Sequence, residues 1–381
     1  MSTGKKNNPG TKALIALAVV LVILVIAAAG AYLMYRKART DRDNFQINAQ
    51  TDAVNATNKQ LEQWQAQQAE VDAYNERMGV VVTPAPVMNG WSVVDMTGYD
   101  MQNPTMLSMD RQSLLLGGGV LVNYWHPVPA DMPEEQLVSV QTALEKRWQV
   151  SSASVRLFPA AATALDAMLN AAKNEGLENY IIEEGYREND KQLEIWNKEA
   201  SLSKYSNYSG TGLVERVNKV VAKPGTSEYQ SGFAICIQRY KSGESDFNRS
   251  FAGTEHSEWL IGNSWKYGYV FRYPIDGYPA SDTVDKSYIT GRNNKLSIYR
   301  YVGLANAAVM NTNDWCMEEY YEYLASRPHL MIYENGKLRY EVVRVKYDGS
   351  AMVNVPVNAA CNAYEITLDN LGGIIVAMTF N

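Results

Sequence analysis

A chain of 381 residues, 46% of them hydrophobic and 10% aromatic, carries enough apolar material to bury a core across two or three structural units, which excludes a wholly disordered protein. A formal net charge of −6 excludes nucleic acid as a general partner, because phosphate binding needs clustered Lys and Arg. Cys236, Cys316 and Cys361 are widely spaced, match no paired-cysteine zinc or redox pattern, and imply no disulfide framework; a single pair with one leftover thiol is the alternative.

The first element is an uncharged apolar run, Ala13 to Met34, long enough to cross a bilayer as one helix. Lys5, Lys6 and Lys12 precede it, and Arg36, Lys37, Arg39 and Arg42 follow, so positive charge alone does not orient the segment. The small residues Ala27 to Ala31 also suit a cleaved signal peptide, but the apolar run continues through Tyr32, Leu33 and Met34, which favours an uncleaved anchor with residues 1–12 as a cytoplasmic tail.

From 36 to 78 the chain is polar and lacks Pro and Gly. Ile47, Val54, Leu61, Trp64, Val71 and Met78 fall on a and d positions of one heptad frame, interrupted by Gln50, Thr57, Gln68 and Asn75. Two readings fit so weak a seam: a single solvated helical stalk, or a coiled coil that would make the protein a homodimer. Either would reach roughly 60 Å at 1.5 Å per residue. Gly79 ends the helix, and residues 79–119 read as a linker and a segment without clear period that wraps the domain after it.

From about Leu121 the elements become regular. Ala164, Leu165, Met168, Leu169 and Ala172 mark a helix ending near Gly176, and Asn179 to Ile182 reads as a strand. At the C-terminus, Leu330 to Tyr333, Leu338 to Lys346, Tyr364 to Leu368 and Ile374 to Phe380 read as strands, the first two joined at Glu334-Asn335-Gly336-Lys337. The tail, 327–381, is thus a small β module that needs a neighbour to pack against.

The most informative stretch is Pro224-Gly-Thr-Ser-Glu-Tyr-Gln-Ser-Gly-Phe-Ala-Ile-Cys236. It resembles the signature of the VanY-type D-alanyl-D-alanine carboxypeptidases, of the LAS metallopeptidase family, which reads roughly Pro-Gly-x-Ser-x-His-x-x-Gly-x-Ala-x-Asp. Further blocks are similar in the same order: Leu121 to Pro129, Gly185-Tyr186-Arg187 with Gln192, Glu258-Trp259-Leu260, Lys266 to Pro274, Arg300-Tyr301-Val302-Gly303 and Cys316 to Tyr320. The resemblance implies an α+β peptidase-like domain over 120–326, with a small antiparallel sheet flanked by helices. It also implies a bacterial protein whose C-terminal part lies outside the membrane, facing peptidoglycan.

The resemblance further implies a zinc site of two His, one Asp and a general-base Glu, and all four positions depart from it here. Tyr229 stands for the first His, Cys236 for the Asp, Ile298 for the second His and Lys295 for the Glu. Ile has no donor atom, and Lys at neutral pH neither accepts a proton nor tolerates a dication nearby. No zinc or other cofactor is therefore expected. His126, His256 and His329 lie elsewhere and build no substitute site, and Cys236, inside an apolar strand run, reads as a small hydrophobe rather than a nucleophile. Three positions that resemble the family's substrate-holding residues keep their type: Arg187, Gln192 and Ser227. An Arg fork suits a peptide carboxylate, although Glu183-Glu184 just before it adds acid that could pair with Arg187 and silence it. The expectation is a catalytically inactive, membrane-anchored homologue that binds peptidoglycan stem peptide or an envelope protein. The alternatives are an active D-Ala-D-Ala carboxypeptidase and a purely structural envelope subunit.

Overall fold

Apolar spacing and one fixed φ set the central helix. In the computed structural model, which describes residues 28–37, 39, 90–240 and 251–381, Pro159–Asn174 is helical with Pro at its first turn. Ala161, Ala162, Leu165, Met168, Leu169 and Ala172 face inward along it at three- and four-residue steps. This stripe packs on one face of a five-stranded sheet. The strands run in the order Gln149–Val150, Tyr180–Glu184, Ala234–Arg239, Ile298–Tyr301 and Tyr269–Phe271. The sheet was expected to be antiparallel throughout. It is mixed, because the edge pair Gln149–Val150 and Tyr180–Glu184 is parallel.

Alternation along the two inner strands decides what each face holds. Ile235, Ile237, Tyr299 and Tyr301 join the helix-side core. Ala234, Cys236 and Ile298 turn to the opposite face, where Cys236 lies directly across from Ile298 on one side and Glu184 on the other.

The C-terminal strands form a second five-stranded sheet, in the order Trp91–Asp95, His329–Glu334, Lys337–Lys346, Gly373–Thr379 and Ala363–Leu368, with every pair antiparallel. Asn335 and Gly336 both take positive φ, 51° and 81°, as a two-residue hairpin turn requires. The segment read as wrapping chain thus supplies an edge strand to this sheet. It also supplies Pro104–Asp110, which pairs with Met352–Asn358. Glu365 of the sheet accepts from the Leu304 amide and from the Tyr301 hydroxyl, tying it to the central domain. All three cysteines are free.

The chain divides into two units, 1–67 and 68–381. In the first, residues 28–37 and 39 are helical; the rest of the apolar run, and nearly all of the expected stalk, lie outside the described residues. Among the described residues no helix is long and apolar enough to cross a membrane.

One pH-sensitive contact belongs to the C-terminal sheet. His329 is buried with Nδ1 at 2.9 Å from the Tyr99 carbonyl oxygen and Nε2 at 2.8 Å from Glu341 Oε1. A carbonyl and a carboxylate only accept, so this geometry needs both ring nitrogens protonated. The Glu341 contact raises the imidazole above its ordinary value, the Tyr99 carbonyl and the charges of Glu341 and Asp95 add to this, and burial opposes them. A raised folded value stabilises below the unfolded pKa of about 6.5, and the contribution is lost as pH climbs through the folded value. The stability advantage of the native chain over His329→Gln, read from urea midpoints, is therefore expected to be widest near about pH 6 and to shrink above about pH 6.5. A gap that stays constant with pH would rule out the imidazolium.

Candidate functional site

The signature loop is fixed from beneath by charge. Glu228 is 1% exposed and accepts from Arg272 Nε at 2.5 Å and from Arg300 Nη1 at 2.8 Å. Arg272 also donates to Glu318 at 2.7 and 3.0 Å, and Asn123 Nδ2 donates to the same carboxylate at 2.9 Å. Arg300 adds bonds to the carbonyls of Gly118, Val120 and Tyr301. Two guanidiniums and two carboxylates balance inside the protein, and burial therefore leaves no net charge among the four. The loop turns out of this network at Gly232, whose φ is 75° and where a Cβ would sit 2.7 Å from the Phe158 ring.

Held this way, the next residue, Tyr229, lies against Ala234, Tyr273 and Ile298 in a buried cluster, with Cys236 and Leu296 packed on it. Three of the four positions singled out in the sequence thus meet in space. Lys295 does not join them: it is exposed, with Nζ 5.7 Å from the centre of the Tyr278 ring. The remaining sequence-predicted residues lie beside the cluster. Ser227 is buried at the start of the short 3-10 turn Glu228–Ser231, and its carbonyl accepts from the Gln230 amide at 2.9 Å. The Arg187 guanidinium is 4.3 Å from the Tyr229 ring centre.

The donor set at these positions does not fit a zinc ion. Burial pushes the Tyr229 phenol well above its usual range, and it pushes the Cys236 thiol up likewise. Each is therefore a neutral group, while Ile298 has no donor atom. Cys236 Sγ is 3.4 Å from Glu183 Oε2, which also accepts from Gln238 Nε2 at 2.9 Å. A carboxylate beside the thiol opposes thiolate formation, so the arrangement does not favour a cysteine nucleophile either. Among the described residues no three His, Cys, Asp or Glu side chains gather as a metal-binding group. His126 is half-buried, its imidazole lowered to about 4 by burial; His256 accepts from or donates to nothing in the cluster and meets the Glu178 carbonyl instead.

Arg187 is already engaged. Its Nε donates to Glu184 Oε1 at 2.5 Å, its Nη2 donates to Glu184 Oε2, and its Nη1 donates to Gln192 Oε1 at 2.6 Å. Gln192 in turn donates to the Ala222 carbonyl at 2.6 Å. The fork that would hold a ligand carboxylate holds the carboxylate of Glu184, at the end of the strand just before it. The acid placed before Gly185 was legible in the sequence. The Glu228–Arg272–Arg300–Glu318 network was not singled out, although Arg272, Arg300 and Glu318 all lie in the matching blocks.

Known proteins resemble the chain over this domain. The family model described as VanY, D-alanyl-D-alanine carboxypeptidase, matches residues 154–286. A D-alanyl-D-alanine carboxypeptidase of Enterococcus faecium is 25% identical over 280 residues, which cover 73% of this chain and 80% of that protein. The bifunctional D-Ala-D-Ala dipeptidase and D-Ala-D-Ala carboxypeptidase VanXYC of Enterococcus gallinarum is 30% identical over 207 residues, 54% of this chain and 94% of that protein. Among solved structures, the vancomycin resistance D,D-dipeptidase VanXYg, in complex with a D-Ala-D-Ala phosphinate analogue, superposes with a TM-score of 0.56. At 19% identity over 73% of this chain and 99% of that one, it shares the fold.

Proposed function

The chain belongs to the VanY D-alanyl-D-alanine carboxypeptidase family, and from that premise we propose that it is a member that binds rather than hydrolyses at the bacterial cell envelope. Its ligand in this reading is a peptidoglycan stem peptide or an envelope protein, and the apolar N-terminal run anchors it with the peptidase-like domain outside. The observation that carries the reading is the buried packing of Tyr229, Ala234, Tyr273 and Ile298, with Cys236, where the resemblance puts the metal ligands. Neutral phenol, thiol and alkyl groups do not activate water, and the exposed ammonium of Lys295 cannot serve as a general base.

The Arg187–Glu184 pair supports a second reading, a structural subunit with an idle cleft. Binding a peptide carboxylate at Arg187 would mean displacing Glu184, a bidentate partner already in place.

Two measurements on the purified full chain separate these readings. Incubation with muramyl pentapeptide is expected to release no D-Ala; release that scales with protein and stops on chelation would restore the active alternative. Titration with N-acyl-D-Ala-D-Ala, against its C-terminal amide, then reports on Arg187. Glu184→Gln is expected to tighten the acid over the amide by about tenfold, the scale of one charge-assisted contact, and Arg187→Ala in that background to abolish the gain. Equal weak binding of acid and amide in both proteins would leave the structural subunit as the better account.

A further inference from the structure

Another arginine beside the same cluster pairs with no acid among the described residues. Arg292 is 7% exposed. Its Nη1 donates to the Asn218 carbonyl at 2.7 Å, and its guanidinium lies 5.9 Å from the centre of the Tyr273 ring, a member of the cluster. The contrast with its neighbours is chemical. Arg272 faces two carboxylates, Arg300 one and Arg187 one, whereas none lies within ion-pair distance of Arg292 among the described residues. A buried charge without a counter-charge is costly, and an anion that reaches it recovers much of that cost. Burial accordingly lowers its proton affinity, with only the partial offset of the tyrosines. Two residues before it in the chain, Thr290 Oγ1, on a residue 1% exposed, is a hydroxyl buried with no hydrogen-bond partner among the described residues.

The geometry points to Arg292 as the anion-binding group beside this cluster, taking a small planar oxyanion, the carboxylate of a peptide or amino-acid ligand, in place of the self-occupied Arg187. Planarity follows from the fork: two parallel N–H groups match a carboxylate, and Tyr273 packs beside the guanidinium. The site stands whether or not the chain hydrolyses anything, and only the identity of its ligand rests on the binding reading above.

The test follows unfolding of the purified full chain at constant ionic strength, with chloride replaced by acetate, by inorganic phosphate, or by N-acetyl-D-Ala-D-Ala and its amide. Acetate and the free acid are expected to raise the midpoint saturably, with the amide inert. The apparent Kd for both is expected to weaken about tenfold or more in Arg292→Met and to stay unchanged in Arg187→Met. Arg292→Lys, which keeps the charge but not the fork, guards against a misfolded Met variant and is expected to lose most of the effect as well. No saturable shift with any anion, or a shift that survives in Arg292→Lys and Arg292→Met alike, overturns the proposal. So does a shift with phosphate but not acetate, since the planar fork would then not be the reader. D-Ala release during the experiment would sink the non-hydrolytic reading while the acetate response still judged Arg292 on its own.

Discussion

Glu228→Ala is expected to destabilise the peptidase-like domain by about 3–5 kcal/mol, the cost of breaking a buried ion pair by removing one partner. The reason is arithmetic as much as contact. Among the described residues, Glu228 is the only carboxylate paired with Arg300 and one of two on Arg272, and both guanidiniums are fully buried. Removing it leaves two positive groups against Glu318 alone, in a place where water cannot screen them. The same loss frees the backbone that presents Tyr229, so the signature loop and the fold are expected to fail together. Urea midpoints for the native chain, Glu228→Ala and Glu228→Gln measure this. Gln keeps the shape and can still accept, so it is expected to fall between the other two. A cost below about 1 kcal/mol for Ala, the range of exposed pairs, would show that solvent reaches the network.

That network also marks the limit of what residue order alone makes legible. Its bonds join residues 44, 46 and 72 positions apart, and nothing local in Glu228, Arg272 or Arg300 says that they meet. The central helix was readable because Leu165, Met168, Leu169 and Ala172 repeat at helical spacing over two turns. The C-terminal hairpin was readable because Asn335-Gly336 separates an apolar run, Leu330 to Tyr333, from the alternating run Leu338 to Lys346. Met352–Asn358 escaped notice because Pro356 sits inside it and its partner, Pro104–Asp110, comes from the far end of the domain. Trp91–Asp95 escaped for a similar reason: it is a five-residue edge strand whose only neighbour among the described residues is His329–Glu334. At the site, the resemblance picked out Tyr229, Cys236 and Ile298, and sheet register shows why three positions so far apart form one place: Cys236 pairs with Ile298, and the loop carrying Tyr229 leads into the Cys236 strand. Arg292 gave no signal at all, since an arginine in a polar loop reads as solvated until its burial is known.

The same geometry predicts how metal binding and hydrolysis would return, and that they would return separately. Ile298→His alone puts an imidazole among Tyr229, Ala234 and Tyr273. Without metal or partner this is expected to cost about 1–3 kcal/mol and to recruit no zinc. Cys236→Asp alone is worse placed, because Glu184 lies across from it and Glu183 already touches the thiol; three acids would crowd one spot, raising the new carboxyl and weakening the fold. Joined with Tyr229→His, however, the three changes supply a two-His, one-Asp set on side chains that already converge, and zinc would neutralise the crowded acid. The triple variant is therefore expected to go from no retained zinc to about one per chain, with a rise in unfolding midpoint on loading. It is still expected to release no D-Ala, because the general-base position, Lys295, points its ammonium toward Tyr278 at an exposed site. Adding Lys295→Glu is the step at which chelator-sensitive release would first appear. Metal analysis after dialysis, alongside D-Ala release, reads all of these variants. About one zinc per chain in the native protein, surviving a mild chelator, would mean that its donors lie outside the Tyr229–Cys236–Ile298 cluster and that the non-hydrolytic reading is wrong.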